Sequence, residues 1–456
     1  MQAVQMAQER AQRALVIGLG LTGLSCARYL VRCGYRVVVV DSREKPPMLG
    51  ELAASAAAVE CHTGVWDPML FQDPGLLVVS PGVSLREPLI AQAISNGIPA
   101  VGDIELFARA VAAPVLAVTG VNGKSTVTAL VGAMCREAGL DTRVGGNIGV
   151  PALSLLEESR PDVYVLELSS FQLETTHSLN AHAATVLNVS RDHMDRYSNV
   201  AEYAQAKARI FRGTGVMVLN TDDVAVLAMS QSDRRVVCFG LGPPAGPDHF
   251  GVITMHGRHW LAKGDDAWLP LSCAHLQGRH NLANSLAAMA LADTLGVGAT
   301  AMERALLTFT GLPHRTETIV EHGGVLWIND SKATNVGATL AALRSQKRPV
   351  VLIAGGDAKG ADFSVLRQVV REKVHALVLL GRDAVLIERA LDKLVPIKHA
   401  TGMDEAVIGA ADLAQPGDVV LLSPGCASFD MFQNYEHRGR TFTAAVQALV
   451  AKRGGS

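Results

Sequence analysis

The chain has 456 residues, room for about three domains, and its 41 Lys and Arg against 43 Asp and Glu leave a formal charge of −2. That balance argues against a nucleic-acid binder working through phosphate contacts. Apolar residues make up 49%, aromatics only 5%, and there are 43 glycines, which excludes a mainly disordered chain and favours Val/Ile/Leu/Ala-rich α/β layers over a β-sandwich. The seven cysteines form no C-x-x-C pair and read as reduced thiols of a cytoplasmic protein. No apolar run reaches the roughly 18 residues that a spanning helix needs, so no membrane insertion is expected.

In chain order, Arg10 and Arg13 before ALVIGLGLTGLSCA imitate a signal peptide, but the pattern continues through a helix into RVVVVD (36–41). It therefore reads as a folded βαβ unit. Strands are expected at 14–18, 36–41 and 76–80 in a first block ending near residue 103. A second block opens with VLAVTG (115–120) and carries DVYVLELSS (162–170) and TVLNVS (185–190). A hairpin-like insertion spans 236–272, and a helix runs from about 280 to 295. The third block follows GLPHR (311–315) with strands in VLWIND, VVLIAGG, ALVLLG and VVLLSPG, the last ending at 425. The whole reads as α/β, parallel sheets covered by helices.

Gly18-Leu-Gly20-Leu-Thr-Gly23 joins a strand to a helix, and Asp41 ends the next strand. Such glycines let a phosphate approach the helix N-terminus, or they simply make a tight turn; the pattern does not separate NAD from other nucleotides. Ser80-Pro81-Gly82 ends a strand on the same sheet edge. Far more specific is Thr119-Gly120-Val121-Asn122-Gly123-Lys124-Ser125-Thr126, a phosphate-binding loop whose first consensus glycine is displaced to 120. It predicts a nucleoside triphosphate, with Lys124 on the β/γ-phosphates and Ser125 on Mg²⁺. Glu167 and Asp192-His193 lie at the ends of neighbouring strands, as ligands or as ordinary strand-end polar groups. Lys207 shares the inward stripe of a helix with Tyr203, Ile210 and Phe211, so it either snorkels or has a task inside. Asn281 and Asn284 open a further helix. Three strand ends in the third block, at Asp330–Asn335, Gly355–Lys359 and Ser423–Ser428, suggest a second anionic-ligand site.

These motifs, with GGNIG (145–149), LELSSFQLE (166–174), DHMDRY (192–197), YAQAKARIF (203–211), HN-x-x-N, PHR, DSKATN and GGDAKGADF, resemble the Mur ligase family along essentially the whole chain. The resemblance implies three domains: a Rossmann-like UDP-substrate domain over 1–103, a central P-loop ATPase domain with a small β insertion over 104–312, and a Rossmann-like C-terminal domain over 313–456 that binds the amino acid and closes on ATP. It implies Asp41, Ser42, Arg43, Ser80, Pro81, Gly82 and Asn147 as UDP-substrate contacts. ATP would meet Gly120 to Thr126, Asn281, His314, Arg315 and Asp330. Ser125, Glu167, His193 and Lys207, the last carbamylated, would hold Mg²⁺, with Lys124, Glu167, His193 and Lys207 as the catalytic set. Thr334, Lys359, Ser428 and Tyr435 would hold D-glutamate. The implied reaction is ATP-dependent addition of D-glutamate to UDP-N-acetylmuramoyl-L-alanine through an acyl phosphate, a cytoplasmic step of peptidoglycan precursor synthesis, by a monomer whose partners are small molecules. A sister ligase or folylpolyglutamate synthetase adding another amino acid is the alternative. A nicotinamide dehydrogenase leaves the phosphate-binding loop unexplained, and a P-loop switch would hydrolyse nucleotide with no amino acid present.

Overall fold

The computed structural model describes residues 13–56, 59–273 and 278–454; Arg10 and the rest of the first dozen lie outside them. Three sheets form where the β-branched runs stand. The first orders its parallel strands Glu60–Thr63, Arg36–Asp41, Arg13–Ile17, Leu76–Val79, Ala100–Val101. Leu15, Val16 and Ile17 are fully buried, as expected of a strand covered on both faces. The strand order reverses between Arg13–Ile17 and Leu76–Val79, and such reversal points open a crevice at the carboxyl ends.

The second sheet runs Thr142–Gly146, Val163–Glu167, Val115–Thr119, Ala183–Val186, Val216–Asn220, Val236–Phe239, His249–Met255, all parallel. Arg258–Lys263 and Asp266–Pro270 then add antiparallel hairpins; of the hairpin-like insertion expected over 236–272, Val236–Phe239 instead continues the parallel sheet. The third sheet pairs Glu317–His322 antiparallel to Val325–Asn329, followed by parallel Val419–Leu422, Val350–Gly355, Val374–Leu380 and Ile397–His399.

The first two sheets share one compact unit, and the reason is the helix Asp103–Ala110. Its Ile104, Leu106 and Phe107 belong to a single apolar cluster that extends from Ala14 and Val39 to Leu166 and Met217. Phe107 meets Tyr164 edge-on, with ring centroids 5.2 Å apart. Asp103 accepts from Gln172 Nε2 at 2.8 Å, and Glu105 accepts from the amides of His177 and Ser178. Ser190–Val200, the described residues 278–282 and the chain from Phe309 onward form the second compact unit, around the third sheet.

Candidate active site

The reversal point of the first sheet opens into a cavity of about 480 Å³. Asp41, Ser42, Arg43, Ser80, Pro81, Gly82 and Asn147, the seven residues expected at a UDP-bearing ligand, all line it. Gly20 caps the helix Leu21–Arg32 with no side-chain bond, so the first-turn amides remain available to an anion. Gly23 has a packing reason: a Cβ there would fall 1.9 Å from the Gly18 carbonyl oxygen. Asp41 is buried and accepts from the Leu19 amide at 2.7 Å, from the Arg43 amide, and from both Nε and Nη2 of Arg43. Burial pushes its carboxyl up, but the Arg43 and amide bonds outweigh it and hold the pKa at about 2. Asp41 thus braces the glycine loop as a permanent anion and orients Arg43 at the cavity rim.

The opposite end of the cavity reaches the second sheet. Asn147 follows the strand Thr142–Gly146, and its Nδ2 donates to Glu167 Oε1 at 2.7 Å. Glu167 is 1% exposed and stands opposite Val118 in register, immediately before the phosphate-binding loop. In that loop Gly123 (φ +88°) caps the helix Lys124–Glu137, and a Cβ at 123 would meet Asn284 Oδ1 at 2.3 Å. The conformation and the space both demand glycine. Ser125 is buried in the first turn, and Lys124 Nζ folds onto the carbonyls of Gly120 and Val121 at 3.0 and 2.9 Å. Lys207 is 1% exposed, so it does not snorkel. Its Nζ donates to Gly120 O at 2.9 Å and lies 4.4 Å from the centroid of the Tyr203 ring. Glu202 bonds Arg86 at 2.7 Å.

In the second unit the polar strand ends lie side by side, because Val325–Asn329, Val419–Leu422 and Val350–Gly355 are adjacent. Asp330 is buried, accepting from Ser423 Oγ at 2.8 Å and the Thr316 amide at 3.1 Å. Burial dominates these bonds and lifts its carboxyl to about 7. Asp192 gathers three candidates: Asn335 Nδ2 at 3.1 Å, Lys359 Nζ at 3.6 Å and His193 Nε2 at 3.8 Å. Lys332 Nζ sits 3.6 Å from the Tyr435 ring centroid, and Ser428 is buried at the end of the 423–428 segment. His193, His314 and Lys359 have φ of 56°, 62° and 49°. Non-glycine residues in the left-handed region are uncommon and cluster at functional sites. Among the described residues no group of three or more His, Cys, Asp or Glu is placed to hold a metal ion.

The Mur ligase MurD-like N-terminal domain matches residues 12–102, the Mur ligase middle domain 118–292, and the Mur ligase glutamate ligase domain 314–426. The chain is 51% identical over 443 residues to the UDP-N-acetylmuramoylalanine–D-glutamate ligase of Nitrosococcus oceani, covering 97% of this chain and 98% of that one. The chain belongs to the Mur ligase family. The enzyme of the same name from Pseudomonas aeruginosa is 49% identical over 96% of this chain and 98% of its own. Among solved structures, the UDP-N-acetylmuramate-alanine ligase of Thermotoga maritima aligns with TM-score 0.61 at 19% identity, over 96% of this chain and 99% of that one. MurF from Acinetobacter baumannii gives 0.61 at 17%, over 97% and 98%. At those identities the likeness speaks for the fold.

Several side chains of this Mur ligase site escape a reading of motifs. Asn188 Oδ1 accepts from the amides of Val121 and Asn122, and its Nδ2 donates to Asn122 O, so it holds the phosphate-binding loop from behind. Trp66 and Gln172 also line the 480 Å³ cavity. Arg438, 2% exposed, clips Ser331 to Cys426 and Ala427 by bonds to Ser331 Oγ and three backbone carbonyls. Of these only Gln172 carries a local signal, the Ser169/Gln172 capping box.

Proposed function

We propose that this Mur ligase joins D-glutamate to UDP-N-acetylmuramoyl-L-alanine at the expense of ATP, as a cytoplasmic monomer supplying peptidoglycan precursors. The relatives at 46–51% identity carry that activity in their names. The observation that carries the reading is Asn147, which lines the nucleotide cavity and bonds Glu167 beside the phosphate-binding strand. A ligand with its diphosphate at the Leu21–Arg32 helix would extend its acyl end past Asn147 toward the γ-phosphate.

The substrate carboxylate attacks the γ-phosphoryl group of ATP, giving an acyl phosphate and ADP; the amine of D-glutamate then displaces phosphate. No protein nucleophile is needed. The loop amides and Lys124 bind and neutralise the phosphates, and the bonds that brace Asn147 and Glu167 orient the approach. Ser125 and Glu167, two buried oxygen donors beside the loop, suit a hard cation, with Lys207 as a carbamate adding another oxygen; His193 enters on the family resemblance alone. Mg²⁺ bound there would offset the repulsion between the carboxylate and the phosphates. Thr334, Lys359, Ser428 and Tyr435 are the side chains proposed for the D-glutamate carboxylates, and Asn281, His314, Arg315 and Asp330 for ATP. Domain boundaries at 103/104 and 312/313 go with this assignment. Phosphate release, assayed across a panel of amino acids with UDP-N-acetylmuramoyl-L-alanine, tests it. Turnover with D-glutamate alone supports the reading; turnover with L-glutamate on a folate acceptor, or with no amino acid, defeats it.

A further inference from the structure

We infer that Asn329 fixes His314 with its ring proton on Nε2, so that His314 meets its ligand only as a hydrogen-bond donor and Asn329 acts as a positioning residue. The inference rests on the reading of Pro313-His314-Arg315 as part of the ATP site.

The amide orientation of Asn329 follows from its neighbours. Oδ1 accepts from the Ser331 amide at 3.1 Å, a group that only donates. Nδ2 lies 3.0 Å from the carbonyl of Gly439, a group that only accepts, and 3.2 Å from Thr443 Oγ1. Exchanging the two amide atoms would break both backbone bonds. The same Nδ2 faces His314 Nδ1 at 2.9 Å, so Nδ1 must present its lone pair. A neutral imidazole that accepts at Nδ1 carries its hydrogen on Nε2.

The competing partner is Glu317, whose Oε2 lies 3.6 Å from Nδ1, beyond hydrogen-bond length, and already accepts from the His314 amide at 2.8 Å. Burial, with Arg440 nearby, lowers the ring's proton affinity more than Glu317 and Glu436 raise it, which disfavours the second proton. The ring cannot slide to another register. His314 is held at φ +62°, its carbonyl accepts from the Lys332 amide at 3.0 Å, and Gly439 packs close to the ring. A Cβ at 439 would stand 2.4 Å from Nδ1. With Nδ1 spent inside the protein, Nε2–H is the one ring group left for a ligand, and it suits an oxygen acceptor such as a phosphate or ribose oxygen.

The experiment uses the full chain with ¹⁵N-labelled histidine, the His314 signals being assigned with His314→Gln. A long-range ¹H–¹⁵N spectrum of the wild type should show Nδ1 unprotonated and Nε2 protonated; Nδ1 protonated overturns the inference without any further variant. Asn329→Asp places a carboxylate opposite Nδ1 and should move the proton there. It should raise KM for ATP roughly 10- to 100-fold, the scale of a lost hydrogen bond to a charged group, with a smaller change in kcat. Gly439→Ala should give a similar KM rise by displacing the ring while the Nε2–H tautomer persists, which guards against a misfolded Asn329→Asp. Unchanged KM for ATP in both variants, with the tautomer switched in Asn329→Asp, overturns the inference. Absence of ATP binding to the wild type would instead defeat the ligase reading and the ligand half of this one, while the tautomer stands on its own spectrum.

Discussion

Replacing Asp330 with Asn should stabilise the protein in alkaline solution while impairing it as an enzyme. Burial lifts the Asp330 carboxyl from an ordinary 3.8 to about 7, against the opposing pull of Ser423, Thr316 and Arg315. Folding therefore favours the protonated form. That contribution is complete below about pH 4 and is lost as pH rises through the folded value of about 7, above which the fold carries a buried anion. At about 1.4 kcal/mol per pH unit, the penalty grows by about 3 kcal/mol between pH 5 and pH 8.5, most of it before pH 7. The amide of Asp330→Asn never ionises. It can still accept from the Thr316 amide, while Ser423 Oγ turns toward Thr339 Oγ1 at 3.3 Å. Any bond lost in that exchange, about 1 kcal/mol, does not vary with pH, so it cancels in the comparison. The variant should gain about 3 kcal/mol on the wild type between the two pH values, or roughly 6–12 °C in the melting of the C-terminal unit. Calorimetry at pH 5 and 8.5 measures this. A melting difference that is the same at both pH values refutes the reasoning. Turnover should fall in the same variant, the usual trade between a relaxed site and a working one.

Lys124→Ala should abolish turnover and leave affinity for the UDP-substrate nearly intact, since the lysine contacts the loop carbonyls and not the 480 Å³ cavity; equal loss of both in a substrate titration would break the assignment. Lys207→Arg should be inactive, and wild-type activity should fall on exhaustive bicarbonate removal, because a guanidinium cannot become a carbamate. An active Lys207→Arg enzyme sinks that role. An ¹⁸O label in the substrate carboxylate should appear in released phosphate, read by mass spectrometry; label confined to the product would reverse the proposed order of steps.

The strand ends that carry chemistry were legible because parallel sheets write long apolar runs that stop abruptly at Gly, Asp or Ser, as at Val115–Thr119 and Val419–Leu422. Edge strands were not. Glu60–Thr63 and Ile397–His399 are half exposed and short, so they lack the apolar run that marks a strand. Val216–Asn220 is fully buried and was missed for another reason: it follows a turn with no motif at its end. In the site, Asp41 and Ser80–Gly82 were readable from spacing, and Ser42, Arg43 and Asn147 only from the family resemblance, whereas Asn188, Asn329 and Arg438 act mainly through partners between 11 and 114 residues away. Nothing local announces such a pairing. The left-handed backbones of His193, His314 and Lys359 were equally hidden, because sequence signals that conformation mainly through glycine or asparagine.

The helix Asp103–Ala110 limits how this chain can be cut or recombined. Between residue 102 and the helix there is no slack: Ile104 and Phe107 are fully buried and Leu106 nearly so, within the cluster that also holds strands of both sheets. A fragment ending at 102 would keep the apolar layer around Leu15, Ile17 and Phe71, and Leu24, Ala27 and Leu30 over Ala14, Val16 and Val39, but would lose the part of that second layer supplied by Ile104, Leu106 and Phe107. Apolar surface uncovered in this way favours aggregation. A transplant of another nucleotide-binding sheet onto the second would have to bring its own version of the Asp103–Gln172 and Glu105–Ser178 contacts as well as a matching Phe107. The border between these sheets is therefore a poor place for exchange of modules, and changes in substrate preference are more readily made one side chain at a time along the cavity wall.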